Sequence, residues 1–447
     1  MICSSRMLVL GALSLCAGQA LCGVPQEWDI QLQARSTLDS AIPGYNLPYP
    51  SSLSSQYVSI DEDGGVAIRA ILSGQEGIFY GKDGSGGIIV TGSGGGDPFW
   101  APTLDLRNGL IGIEQGSFSD GAYLYSIDGT LVRTFNAGGP EGVSGFSGVT
   151  ITSDGALCYR GDFGFSVDKV VIDEYVGSTR TQTLVTDTNS GYSFLISPEI
   201  NDSRQVLMKT FPVSGAAQRI VRFEPDGMET TVAETGALFN SFVNSTAIAQ
   251  DGGAAFSGRR TADSVWQVTH WDGSSLVTIA DGNNADISNG SLANFPPVVN
   301  DDGVVAFRAT DITHDSTALW VGDGVDLVKL VEYDQVIETD LGPIPLGFDF
   351  GGDTGRQVMN GVVDINNAGQ VAFAAFLRNG TIGVFVATPA AGCAADLNDD
   401  GVLDFFDVSA FLNAFNAMDA VADFTGDGVF DFFDVSAFLS AFNAGCP

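Results

Sequence analysis

The residues best suited to chemistry lie near the end of the chain. Asp396, Asn398, Asp400, Asp404 and Asp407 occupy positions 1, 3, 5, 9 and 12 of a loop with Gly401 at position 6. In a second copy, 27 residues on, Asp423, Thr425, Asp427, Asp431 and Asp434 repeat the spacing around Gly428. Hard oxygen ligands at these intervals, with a glycine for the sharp turn at position 6, suit Ca²⁺. Val402 and Val429 at position 7 would add backbone carbonyls, and neither loop holds a soft ligand. Two calcium ions are therefore expected.

Each loop runs into the same apolar segment, DFFDVSAFLNAFNA and then DFFDVSAFLSAFNA. Val408, Phe411, Leu412 and Phe415 recur at i, i+3, i+4 and i+7, as do Val435, Phe438, Leu439 and Phe442. That spacing predicts two helices whose apolar stripes pack copy against copy. Phe405-Phe406 and Phe432-Phe433 are adjacent in sequence, so both members of a pair cannot enter the stripe. At least one Phe per copy is expected on the surface, as a partner-binding knob.

Loop followed by helix, written twice, resembles the dockerin modules of secreted bacterial proteins. Gly392-Cys393 and Gly445-Cys446 resemble the boundaries of the GC-type variety. The resemblance covers residues 393–447. It implies a calcium-dependent domain that plugs into a cohesin-like or other anchoring protein. Two features depart from the pattern: Thr425 stands at position 3, and Phe pairs fill positions 10 and 11, where small polar residues are common. The Phe pairs point away from an ordinary cohesin. A Cys393–Cys446 disulfide would close the module and add roughly 4 kcal/mol in the chain-entropy model.

The elements ahead of the tail repeat too. An Asn/Asp/Gly turn followed by an alternating apolar strand recurs as DEDGGVAIRA, LRNGLIGIEQ, TSDGALCYRG, NDSRQVLMKT, AQDGGAAFSG, NDDGVVAFRA and NNAGQVAFAA. The turn position falls at Gly64, Gly109, Gly155, Arg204, Gly252, Gly303 and Gly369, at intervals of 45, 46, 49, 48, 51 and 66 residues. Five copies carry a later Asp-Gly pair between apolar runs, a hairpin signal. Four short strands per repeat of this length describe the blade of a propeller. Residues 28–388 are thus expected to form a seven-bladed β-propeller, mainly β, ahead of a small α-helical tail. The seventh copy lacks its outer strand, and the segment from Trp28 to Ser36 is expected to supply it. The Asn and Asp of the turns need no metal, because such side chains bond their own backbone.

The interblade connections vary most, at 91–103, 281–297 and 331–363. Variable loops on a rigid frame are where binding evolves, and Phe99 and Trp100 with the 331–363 loop are candidates for a ligand face. Only His270 and His314 exist, which excludes a multi-histidine metal centre and weighs against a histidine-based triad. Cys158, in the apolar pattern ALCYRG, is expected as a small core residue. The net charge of −35 argues against nucleic acid or anionic membrane as partner. With 44% hydrophobic residues and 30 Phe, the chain nonetheless has ample material for a core.

The first 22 residues, with Arg6 ahead of an apolar run from Met7 to Cys16, read as a secretory signal peptide. No later stretch is long and apolar enough to span a bilayer. Residues 387–392 read as a linker to the 393–447 module. The expected function is an exported propeller, secreted or at a bacterial cell surface, anchored or assembled through its tail and binding an extracellular glycan or protein. The alternatives are a polysaccharide hydrolase or lyase on the same anchor, or a structural surface-layer protein.

Overall fold

The computed structural model describes residues 24–444 except for 38–39, 74, 93–102, 116–120, 137, 144, 162–166, 214, 216, 352–354, 391–394, 399–401 and 427. The leader, Phe99, Trp100, Asp400, Asp427, Cys393 and Cys446 fall outside this description. Seven antiparallel sheets follow one another: blade 1 is Ser51–Thr91, blade 2 Leu104–Phe135 and blade 3 Ser147–Asp187. Blade 4 is Tyr192–Glu234, blade 5 Phe239–Asp281, blade 6 Val298–Val331, and blade 7 begins at Asp364. The fold is a seven-bladed β-propeller.

Ring closure follows the expectation. Trp28–Arg35 pairs antiparallel with Ile382–Pro389, from Trp28 opposite Pro389 to Arg35 opposite Gly383, as the outer strand of blade 7. That strand's extension to Pro389 takes in the first residues of the expected linker. The 331–363 connection is not a bare loop: Val336–Thr339 and Gly342–Pro345 form a hairpin. Asp340, in its turn, accepts two hydrogen bonds from the Arg35 guanidinium, both 2.8 Å, while Arg35 is only 1% exposed.

Each blade is apolar on both faces, because both meet a neighbouring blade. Its second strand carries a buried triplet: Val66-Ala67-Ile68, Leu157-Cys158-Tyr159, Val206-Leu207-Met208, Ala254-Ala255-Phe256, Val305-Ala306-Phe307 and Val371-Ala372-Phe373. The middle residue is small in five of these and packs into the seam with the next blade. In blade 2 it is Gly112, where a Cβ would run into Ile151 Cγ2. Cys158 is therefore the small core residue expected, and burial pushes its thiol up. Hydrophobic clusters fill the seams between successive blades, and an eighth forms the core of the tail.

The turns do more than bond their own backbone. Asp61 accepts from the N–H groups of Asn108 (2.6 Å) and Gly109 (2.5 Å) in the next blade. Asn108 Nδ2 donates to Ser153 O, and Ser153 donates through N and Oγ to Asp202. Asp202 N donates to Gln250 Oε1, and Asp251 N to Asp301 Oδ1. Asp301 and Asn367 exchange two bonds of 2.9 Å, and Asn367 N donates to Glu62 Oε2, back in blade 1. The repeated Asn/Asp residues thus form a closed hoop of hydrogen bonds. Arg204, where six copies have glycine, takes φ of 62° and pairs with Asp154 and Glu174.

The tail holds two helices, α1 (Phe405–Ala417) and α2 (Phe432–Ala444). Phe411 and Phe438, equivalent in the two copies, stack with centroids 4.1 Å apart and planes within 5°. Val408, Phe415, Val435 and Phe442 pack around them. Leu412 and Leu439 do not: both are exposed, at 55% and 51%. The predicted stripe is narrower than its spacing allows, because a module this small buries one residue per turn at the centre of each helix.

Candidate functional site

Two places collect functional groups. In the tail, the position-12 carboxylates organise each loop from within. Asp407 is fully buried and accepts from the N–H groups of Leu397 (3.0 Å), Asn398 (3.3 Å) and Asp404 (2.8 Å). Asp434, equally buried, accepts from Thr425 N (3.0 Å), Thr425 Oγ1 (2.9 Å) and Asp431 N (2.9 Å). The backbone N–H of Asp404 and that of Asp431 lead the donors that hold these carboxyls below their usual range. Thr425 therefore spends its hydroxyl on Asp434. Asp404 and Asp431 accept from Phe406 N and Phe433 N at the helix starts, and Asp423 accepts from Gly428 N. Hydrogen bonds tie Asn398 and Asp404 to Asp407 in one copy; in the other, the Thr425 hydroxyl links Asp423 with Asp434, which also accepts from Asp431 N.

The donor set fits a hard divalent cation. Every side chain at the loop ligand positions is an oxygen donor. Residues 393–447 contain ten Asp and no Lys, Arg or His, so the module has no internal cation to offset them. Beside the loops, all four loop aromatics face solvent: Phe405 at 76%, Phe406 at 65%, Phe432 at 75% and Phe433 at 66% exposed. At least one per copy was expected on the surface, and both members of each pair are there.

The second place is the propeller axis, where a cavity of about 640 Å³ runs between the innermost strands. Strand register puts one residue per blade in a single layer: Ser59, Asp105, Thr150, Glu199, Ala247, Val298 and Asp364. Each precedes a buried aliphatic residue at or next to the end of its inner strand. Three members stitch blades together. Asp364 Oδ2 accepts from Ser59 Oγ and Ile60 N, Ser59 Oγ accepts from Leu106 N, and Asp105 Oδ2 accepts from Ile151 N. Thr150 stands in the same role, but its buried Oγ1 has no partner.

Arg107 is the only cation lining this cavity among the described residues, with Nε 3.5 Å from Asp105 Oδ1. Burial works against its charge, but Asp105, Asp364 and Glu199 outweigh that and hold the guanidinium more firmly protonated. Burial also pushes Asp364 up to about 6, and pushes Glu199, which has Asp105 and Asp364 as like charges, well above the usual carboxylate range. Glu114, behind the channel wall, is raised by burial to about 7 while accepting from Gly148 N. The channel is thus an acidic, partly proton-holding lumen. No motif announces it, since its layer is made of six residue types. Counting back five residues from the turn position, or four in the shorter turn of blade 2, would have found it.

A third acidic group, Asp311, His314 and Glu332, brings potential ligand atoms within 4.8 Å of one another. Lys329 Nζ already lies 3.3 Å from Asp311 Oδ2 and 2.7 Å from Glu332 Oε2. An ammonium fills the place a metal would take.

No family model and no curated protein matches this chain. Among solved structures it is similar to the β-propeller domain of the Trilobed protease from Pyrococcus furiosus, at 12% identity and a TM-score of 0.41, covering 65% of this chain and 84% of that one. An oligogalacturonate lyase in complex with manganese is similar at 11% identity and 0.45, covering 83% and 98%. The Dos1 propeller is similar at 13% identity and 0.42, covering 80% and 95%. These likenesses are of fold.

Proposed function

We propose that the chain is an exported binding protein whose propeller recognises an extracellular ligand and whose tail is a two-site, calcium-dependent, dockerin-like docking module. The observation that carries the tail reading is its internal symmetry. Two buried aspartates organise two equivalent acidic loops, and two pairs of phenylalanines stand exposed beside them. Exposed aromatics cost solubility unless a partner covers them. Calcium, when bound, would neutralise the loops. Asp396, Asn398, Asp404 and Asp407 would hold one ion and Asp423, Thr425, Asp431 and Asp434 the other, with Asp400, Asp427 and the carbonyls of Val402 and Val429 completing the sets. The chain's own work is to fix loop and helix together, so that each Phe pair is presented at the start of α1 or α2.

The test is calorimetry of the full chain with Ca²⁺, together with retention on the surface of the producing cell with and without a chelator. Two calcium ions bound per chain, and release on chelation, are the expected results. No calcium binding at millimolar concentration would overturn the metal assignment, and calcium-independent retention would overturn the docking role.

A further inference from the structure

We propose that the axial channel binds a small organic dication of the aliphatic diamine class. This deepens the reading of the propeller as a binding scaffold and rests on it. The layer described above is divided: one arc, from Asp364 through Ser59 and Asp105 to Thr150 and Glu199, is polar, and the rest, Ala247 and Val298 with Pro296 and Pro297 beside them, is apolar. A ligand matching both walls carries ammonium groups and an aliphatic body.

Charge sets its valence. At the level of the layer, Asp105, Glu199 and Asp364 face one guanidinium, Arg107, which leaves up to two negative charges there without an opposite charge. Without a ligand the carboxyls meet this by keeping protons, the direction in which burial drives Glu199 and Asp364. Asp61, Glu62 and Asp202 also line the cavity and extend its negative field to the mouth, which concentrates cations there. A single metal ion fits less well, because it would leave the apolar arc of Ala247, Val298, Pro296 and Pro297 without a match.

Two unsatisfied acceptors mark where the ammonium groups sit. Thr150, 6% exposed, has a hydroxyl without a partner at a position whose equivalents in blades 7, 1 and 2 all accept a hydrogen bond. Among the described residues nothing donates to Glu199, whose side chain lines the cavity. Thr150 is the buried one, where a group left unpaired is costly, while Glu199 is half-buried and open to the lumen; an ammonium supplies three donors. The cavity volume lies within the roughly 300–1,000 Å³ of small-molecule sites.

The test titrates 1,5-diaminopentane into the full chain by calorimetry, in constant saturating Ca²⁺ so that the tail contributes no heat. 1,5-Pentanediol and n-pentylamine are the comparison probes. The expected result is saturable one-to-one binding of the diamine, weaker binding of the monoamine and none of the diol. Glu199→Gln should weaken the diamine about tenfold or more. Asp226→Asn, the same charge change at an exposed turn, should leave it unaltered. Val298→Phe keeps every channel charge and should abolish binding by bulk, so the claim stands apart from any folding defect in Glu199→Gln. Melting temperatures of all variants are followed in parallel. No diamine binding by about 1 mM overturns the proposal, as does equal binding of diol and diamine, or a diamine affinity unmoved by both channel variants. None of these failures touches the scaffold reading, which is tested separately by binding of the full chain to arrayed extracellular glycans and would fail there if none is bound.

Discussion

Removing the Asp340 carboxylate should loosen the closure of the propeller. Arg35 lies in the outer strand of blade 7, which comes from the other end of the sequence, and is 1% exposed. Both bonds it gives to Asp340 are charge-assisted; its others go to the carbonyls of Ser36 and Pro43. Asp340→Ala therefore leaves a buried guanidinium with neutral acceptors only, a change that costs about 3 kcal/mol or somewhat more. Unfolding entropy of roughly 2.1 cal/mol/K per residue over about 360 residues gives about 0.75 kcal/mol/K, so the midpoint should fall by about 4 °C. Scanning calorimetry of the full chain in saturating calcium reads this. Asp349→Ala is the control: it breaks the exposed pair with Arg356 in the same insertion, worth about 0–1 kcal/mol. Arg35→Met combined with Asp340→Ala should lose less than the two single changes summed, because neither leaves the other stranded. If Asp340→Ala and Asp349→Ala lower the midpoint equally, the insertion does not clamp the strand and the reasoning fails.

Calcium should raise the melting point of the tail in two steps, and Thr425→Asp, which adds a carboxylate at position 3, should tighten the second site alone; site-resolved calcium titration checks this. Each Phe→Ser at 405, 406, 432 and 433 should change stability by about 0.5 kcal/mol or less, while pairs of them abolish retention on the producing cell; loss of calcium binding instead would make these residues core. Asp364 and Glu114 have folded-state values near 6 and 7, above those of an unfolded carboxyl. The native state therefore binds more protons between roughly pH 4 and 7, and stability falls as pH rises through that window. Asp364→Asn and Glu114→Gln should each flatten this fall in a pH series of melting curves; an unchanged slope would mean the carboxyls titrate normally.

What could be read beforehand follows from what each feature depends on. Blade number and ring closure were legible because a turn needs particular residues: Asn and Asp bond locally, and Gly64 or Gly303 takes a positive φ at little cost. The Trp28–Arg35 strand was legible as a run without a partner. The hoop of turns was not, because a bond from Asp61 to Asn108 depends on where the next blade sits and leaves no local trace. The axial layer was hidden for the same reason. Ser59, Thr150 and Asp364 share a place in space but no side-chain type. In the tail, the exposure of Leu412 and Leu439 was misread because i+4 spacing marks one helix face but not how much of that face a short neighbour covers.

The hoop of turn hydrogen bonds also governs how the molecule can come apart and how it can grow. In a linear stack of repeats the terminal units have one neighbour, so they fray first and copies can be added at either end. Here Asn367 reaches Glu62 as Asp61 reaches Asn108, so every blade is flanked on both sides. No blade can peel away without opening two seams together, which makes loss of structure a collective event. Extra sequence cannot enter as an eighth copy without breaking the circle. It enters where no seam is crossed, as in the hairpin around Asp340, which lengthens one connection and leaves the ring intact.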